Sequence, residues 1–193
     1  MIGRTFAAGP VFTAQFPDPD ERLRHCIEIY TGDVIRCLRD GSVWVAEGEN
    51  GAVLGAITLV EMPARSAPAG TDPAAATGSP TAAWTDMMAT FDADEAAGLE
   101  ALAATQSGPW RYISVLAVDP AHQGEGIGTS LMRHTIAGAD HDGLALGIMT
   151  EVLRTVRYYE RLGFHIIRDG NEHDPVRYWV LLRLTTTTPP SPS

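Results

Sequence analysis

The segment that most constrains this chain is Gln123-Gly124-Glu125-Gly126-Ile127-Gly128. Alternate glycines let a backbone turn left-handed and approach a ligand closely, so that several N–H groups point one way. Ahead of it, Trp110 to Val118 is rich in β-branched and aromatic residues and runs into Asp119-Pro120, where proline ends ladder pairing. Behind it, Ile127, Leu131, His134 and the Ile136/Ala137 pair recur at helical spacing. The order is strand, glycine loop, helix, which sets the loop at the positive end of a helix dipole and makes it a cradle for phosphate. No Gly-Lys-Ser/Thr follows, so it is not a Walker A loop. A dinucleotide-binding turn follows its strand directly, whereas Asp119 to Gln123 intervene here.

At 193 residues the chain suits one domain, read as residues 1–184 with a disordered, proline-rich tail at 185–193. Hydrophobic residues make up 45% of it, enough for a core. The 24 acidic against 14 basic residues give a net charge of -10, a field that repels a nucleic-acid backbone. A small anionic cofactor is still compatible, because local backbone dipoles act at one site. Cys26 and Cys37 lack metal-site spacing, and the histidines form no ligand pattern, so no metal is expected. Without a long apolar run or a signal-like N-terminus, neither membrane partner nor export is expected, and a cytoplasmic protein is the default.

A first strand is expected near Thr5 to Thr13. Asp18-Pro19-Asp20-Glu21 then starts a helix, with Leu23, Ile27, Tyr30, Val34 and Leu38 along one face and a bend at Gly32. Ser42 to Ala46 and Ala52 to Val60 form a hairpin around Asn50-Gly51. Residues 63–83, with four prolines, read as a long mobile loop, and Trp84 to Thr105 as one or two helices with an Asp92/Glu95 capping box. Leu144 to Met149, Phe164 to Arg168 and Val176 to Leu184 are strands, and Val152 to Leu162 is a helix closed by Gly163. The fold class is α/β (α+β) with a mixed sheet flanked by helices. The final strand is open to pair with a second copy, so a homodimer is a further expectation.

Gln123-x-x-Gly126-x-Gly128, after Val118-Asp119-Pro120 and before a helix, resembles the acetyl-CoA pyrophosphate motif of the GNAT superfamily of N-acetyltransferases. Tyr158-Tyr159-Glu160-Arg161-Leu162-Gly163-Phe164 is similar to that family's late Tyr-Glu-Lys/Arg-x-Gly-Phe segment, in the right order. The acidic start at Asp18, the helical insert from Trp84 and Arg177-Tyr178-Trp179 also resemble the puromycin N-acetyltransferase branch. The resemblance implies a sheet splayed like a V, with the strands around Leu116 and Leu146 diverging to admit the pantetheine arm of acetyl-CoA. Leu116, Ala117 and Val118 would pair with that arm as an added strand, and the Leu116 N–H would hold the thioester carbonyl as an oxyanion-type donor. Gln123 and the loop from Gly124 through Glu125, Gly126, Ile127 and Gly128 to Thr129 would take the pyrophosphate. Tyr159 matches the tyrosine that protonates the departing thiolate. Where the family often has Asn, seven residues before this tyrosine, the chain has Val152.

The group that takes the amine proton is open between Ser114, through a water, Glu151, directly, and no dedicated base at all, the amine losing its proton to solvent before attack. Glu47, Glu61, Trp84, Met87, Met88 and Phe91 are candidates to wall an acceptor pocket, and the acceptor expected is a small-molecule amine. Both cysteines lie in an early helix, far in sequence from the two motifs, which argues against a covalent cysteine route and for direct attack.

Overall fold

A computed structural model describes residues 1–62, 97–170 and 177–185. The 63–83 segment, the helical reading and capping box before residue 97, the turn at 171–176 and the tail from 186 lie outside the described residues.

The chain opens on two short helices, α1 (Ile2–Phe6) and α2 (Pro10–Gln15), where a strand was expected. The run of Thr, Phe and Val has β-propensity, but Pro10 at the first helical position after Gly9 favours a helix start. Phe6 stacks on Tyr30 at 4.3 Å between ring centroids and Phe12 lies 6.1 Å from the same ring, so tertiary packing overrides local preference.

Helix α3 (Pro19–Asp40) begins as read, with Asp18 Oδ1 accepting from the N–H groups of Asp20 and Glu21 at 2.9 Å each. It continues unbroken through Gly32, which faces solvent. Its inward stripe differs from the expected one: Cys26 and Cys37 are fully buried, whereas Ile27 and Leu38 are 51% and 68% exposed. The helix is rotated so that Cys26, Tyr30, Asp33 and Cys37 face the protein.

Among the described residues the sheet has six strands in the order β1-β2-β3-β4-β6-β5: β1 (Gly41–Glu47), β2 (Val53–Met62), β3 (Trp110–Val118), β4 (Ala145–Thr150), β5 (His165–Asp169) and β6 (Trp179–Arg183). Only β3 and β4 run parallel; every other pair is antiparallel. The β1–β2 hairpin turns at Gly51, with φ of 75°, and Asn50 Oδ1 accepts from the Ala52 N–H at 3.0 Å. Between them in the chain come a helical stretch at 97–104 (α4), a 3-10 turn at Pro120–His122, α5 (Ile127–Asp142) and α6 (Leu153–Glu160). β6 lies between β4 and β5, so both its edges are occupied and it cannot be the strand that pairs across a dimer; the outer strands are β1 and β5.

Alternation along β3 and β6 feeds two cores. Ile113 and Leu181 pack with Leu131 and Met132 of α5 and with Val156, Tyr159 and Phe164. Trp110, Tyr112, Val180 and Leu182 pack with Leu102 and Ala103 of α4. Each such side chain, fully buried, contributes about 1.5–3 kcal/mol. Arg183 of β6 and Asp140 of α5 form a forked pair at 2.7 and 2.8 Å, tying the end of that helix to the sheet.

Candidate active site

β3 pairs with β4 only from Trp110↔Ala145 to Ile113↔Ile148, although β3 runs on to Val118 and β4 to Thr150. The sheet therefore splits beyond Ile113. Leu146 sits in the still-paired part, opposite Arg111, so the divergence lies after Ile148 rather than at Leu146. On its other side β3 stays in register with β2 to Val118↔Gly55, and the Asp119 N–H donates to the Leu54 carbonyl at 2.8 Å. Backbone groups of an antiparallel strand alternate in direction. The N–H and C=O of Ala117 consequently face β2, as those of Asp119 do, while those of Leu116 and Val118 face the split. This revises the expectation for Ala117, which can offer the open edge no backbone group of its own.

The glycine loop lies at the end of that edge. Gly124 and Gly126 have φ of 87° and 85°, and Gly126 is the N-cap of α5 without a capping side chain. A Cβ added at either glycine would meet nothing within 4 Å, so they are required by backbone conformation and they face open space. The first N–H groups of α5 are directed into that space, since the first intrahelical bond is Ser130 N–H to Gly126 O at 2.9 Å. Amides directed into open space at a helix start fit a pyrophosphate group. Gln123 folds back, Nε2 donating to the Val118 carbonyl at 3.3 Å, and Glu125 lies 3.3 Å from His122 Nδ1. From α1, the Thr5 hydroxyl donates to the same Val118 carbonyl at 3.1 Å and Arg4 pairs with Asp119 at 3.6 Å. The Ala121 N–H, more than Arg4, holds the Asp119 carboxyl below its ordinary range. The sequence reading missed this brace because it took α1 for a strand.

Tyr159 is buried on α6 between Tyr158 and Phe164, at ring separations of 5.3 and 5.7 Å. Burial, then the neighbouring Tyr158 and Glu151, push its phenol well above the usual value, so it holds its proton throughout the physiological range. Glu151 follows β4, partly exposed, and desolvation raises its carboxyl. Its effect on Tyr159 places these two candidates within electrostatic reach of each other. Val152 caps α6 with no side-chain hydrogen bond.

Ser114 belongs to a different cluster. Its hydroxyl lies 2.8 Å from Asp33 Oδ2, 2.7 Å from the Thr58 hydroxyl and 3.6 Å from Cys37 Sγ. Asp33 also pairs with Arg36. Cys37 is thus remote from the motifs in sequence but adjacent to a candidate residue in space. Burial pushes the Cys26 thiol up to about 11 and raises Cys37 as well, which leaves both protonated and poorly nucleophilic. Asp33 escaped the sequence reading because Thr58 and Ser114 lie 25 and 81 residues away; the local signals were Arg36 and Cys37, three and four residues on.

Of the expected acceptor wall, Glu61 is engaged by Arg111 at 3.0 Å, and Arg111 also reaches Asp142 at 2.8 Å. Glu47 is exposed at the end of β1, and Trp84, Met87, Met88 and Phe91 lie outside the described residues. Among the described residues no three His, Cys, Asp or Glu side chains gather as a metal site, and no helix is long and apolar enough to cross a membrane.

Residues 10–164 match the acetyltransferase (GNAT) family. An 80-residue stretch, 40% of this chain, is 38% identical to the tRNA(Met) cytidine acetyltransferase TmcA of Citrobacter koseri, of which it spans 11%. The fold is similar to a histone acetyltransferase HPA2 and related acetyltransferase structure from Corynebacterium glutamicum, with a TM-score of 0.64 and 19% identity over 97% of this chain and 91% of that one. It is also similar to arylalkylamine N-acetyltransferase 2 from Aedes aegypti, with a TM-score of 0.56 and 13% identity over 81% and 79% of the two chains. With the family matched across most of its length and the split sheet and glycine loop in place, the chain belongs to the GNAT family of acetyltransferases, which draw their acetyl group from acetyl-CoA.

Proposed function

We propose that this protein transfers an acetyl group from acetyl-CoA to the primary amine of a small molecule, by direct attack within a ternary complex. The observation that carries this reading is the open β3 edge running towards the glycine loop whose Gly124 and Gly126 adopt positive φ at the start of α5. Acetyl-CoA supplies an activated acyl group whose carbonyl gains negative charge as an amine attacks. The Leu116 N–H, free of β2, stabilises that charge, and Val118 N–H holds the arm behind it. The loop amides from Gly124 through Glu125, Gly126, Ile127 and Gly128 to Thr129 take the pyrophosphate.

Tyr159 delivers the proton to sulfur. Its raised affinity for that proton keeps it loaded until a thiolate develops. Glu151 is favoured as acceptor of the amine proton, since desolvation raises its basicity and it lies near Tyr159. Ser114, bonded to Asp33, is the positioning alternative. The protonated thiols of Cys26 and Cys37 support direct transfer over an acyl-cysteine route. Agmatine and arylalkylamine acetyltransferases among the structural neighbours support a small cationic amine, and the sequence likeness to the puromycin branch places aminonucleosides first in the panel.

The test is thermal unfolding with and without acetyl-CoA, with NAD as control, followed by thiol release over an amine panel. At 100 times its dissociation constant a ligand stabilises by about 2.7 kcal/mol. A rise with acetyl-CoA alone, then thiol release with an amine, is expected. Stabilisation without release across the panel would instead leave a CoA-binding module.

A further inference from the structure

We infer that two copies of this chain join edge to edge through β1, continuing the sheet across a twofold axis centred on Trp44. Of the nine exposed large apolar side chains among the described residues, six lie on α3 or the β1–β2 hairpin: Ile27, Ile35, Leu38, Trp44, Val45 and Val53. Scattered exposed apolar residues need no partner, but a group of six beside one open edge marks an interaction surface. On one face of the sheet Ile27 and Ile35 line a groove of about 390 Å³ with Val43, Val45 and Val53. On the other face Trp44 stands half exposed against His134, with ring centroids 4.5 Å apart.

Among the described residues no strand pairs with the outer edge of β1, and the register shows which of its backbone groups are open. Ala117 and Asp119 bond to β2 at Ala56 and Leu54, so the alternate residues Gly55 and Ile57 turn their N–H and C=O groups towards β1. They meet Ala46 and Trp44 there, which leaves Val43 and Val45 with backbone groups directed outwards. Antiparallel pairing centred on Trp44 sets Val43 of one copy opposite Val45 of the other, and each such pair exchanges two N–H to C=O bonds. The two Trp44 side chains then face each other at a site without backbone bonds, where opposite side chains approach most closely.

The occupant is a second copy because this edge is its own complement. Ser42-Val43-Trp44-Val45-Ala46 runs small, valine, aromatic, valine, small, nearly the same in both directions, so a twofold matches like shapes at every position. The segment carries no charge, which suits close approach between chains of net charge -10. The charges at its ends are complementary. Arg39 is exposed in the last turn of α3, two residues before Gly41, and Glu47 is exposed where β1 ends. The same register sets Glu47 of each copy opposite Gly41 of the other, next to Arg39. The other outer strand, β5, is interrupted by His165, Arg168 and Asp169, the kind of side chains that keep an edge unpaired.

The experiment is sedimentation velocity of the full chain over a wide range of concentration, paired with amide hydrogen exchange. A concentration-dependent dimer is expected, in which the Val43 and Val45 amides are protected and become fast on dilution, while Trp44, bonded to β2, stays protected throughout. Val45→Pro removes an outward N–H but no bond to β2, so it should fold and weaken the dimer by about tenfold or more. Trp44→Lys sets like charges face to face at the axis and should weaken it as well, which keeps the test in force if the proline variant fails to fold. A monomer at every concentration overturns the inference. So does a dimer that both substitutions leave intact, or one in which Val43 and Val45 exchange freely. Protection of those two amides in a monomer would assign the edge to the 63–96 segment of the same chain and also overturns it.

Discussion

The Ser114 hydroxyl lies 2.8 Å from Asp33 Oδ2, joining the middle of β3 to helix α3 across 81 residues of sequence. Thr58, fully buried on the adjoining strand, closes the triangle at 2.7 Å from Ser114 and 3.4 Å from Asp33. Ser114→Ala should cost about 1–3 kcal/mol, because it strips a donor from a largely enclosed carboxylate. Denaturant unfolding of the single and double substitutions with Asp33→Ala should give a coupling energy of about 0.5–3 kcal/mol. Additive losses would show that the two act independently.

Tyr159→Phe tests proton delivery. The phenol is packed by its ring, so the variant should fold and bind acetyl-CoA as before, while kcat falls by about 10²–10⁴. Loss of acetyl-CoA binding instead would make Tyr159 a wall of the cleft.

Glu151 yields a pH signature with a definite sign. Burial raises its carboxyl above the ordinary 4.5 in the folded protein only. The folded state therefore binds more protons than the unfolded one between the two values, and stability falls as pH rises through that window. Above the raised value the cost is complete. Glu151→Gln should raise the melting temperature at neutral pH and flatten this slope, while removing the acidic limb of the kcat profile. A variant with normal turnover and an unchanged acidic limb would move the proton-accepting role away from Glu151, to Ser114 or to solvent.

Gly126→Ala addresses the cradle. With φ at 85°, a side chain there is strained by about 1–2 kcal/mol although it touches nothing. Relief of that strain distorts the cradle, so the acetyl-CoA-induced rise in melting temperature should shrink more than the apo midpoint does.

The regions read well were those where local signals and tertiary demand agree. Trp110 to Val118 is both high in β-propensity and central in the sheet, and Asp18 caps α3 with its own neighbours. Thr5 to Thr13 was misread because Phe6 and Phe12 are held by Tyr30, outside any local window. The inward face of α3 was misread for a related reason: hydrophobicity favours Ile27 and Leu38 over Asp33, whereas Ser114 and Thr58 make Asp33 the residue that turns inward. The glycine loop was legible because positive φ restricts residue choice.

The early end of the β3–β4 ladder also sets which amides can report on occupancy. Ala117 should exchange its hydrogen slowly with or without a donor, because β2 already shields it. Leu116 and Val118, one residue to either side, point into the split and depend on whatever fills it. If the donor binds as proposed, amide exchange along this strand should alternate between donor-insensitive and donor-sensitive positions, and a seventh strand would be read residue by residue in the protein's own backbone.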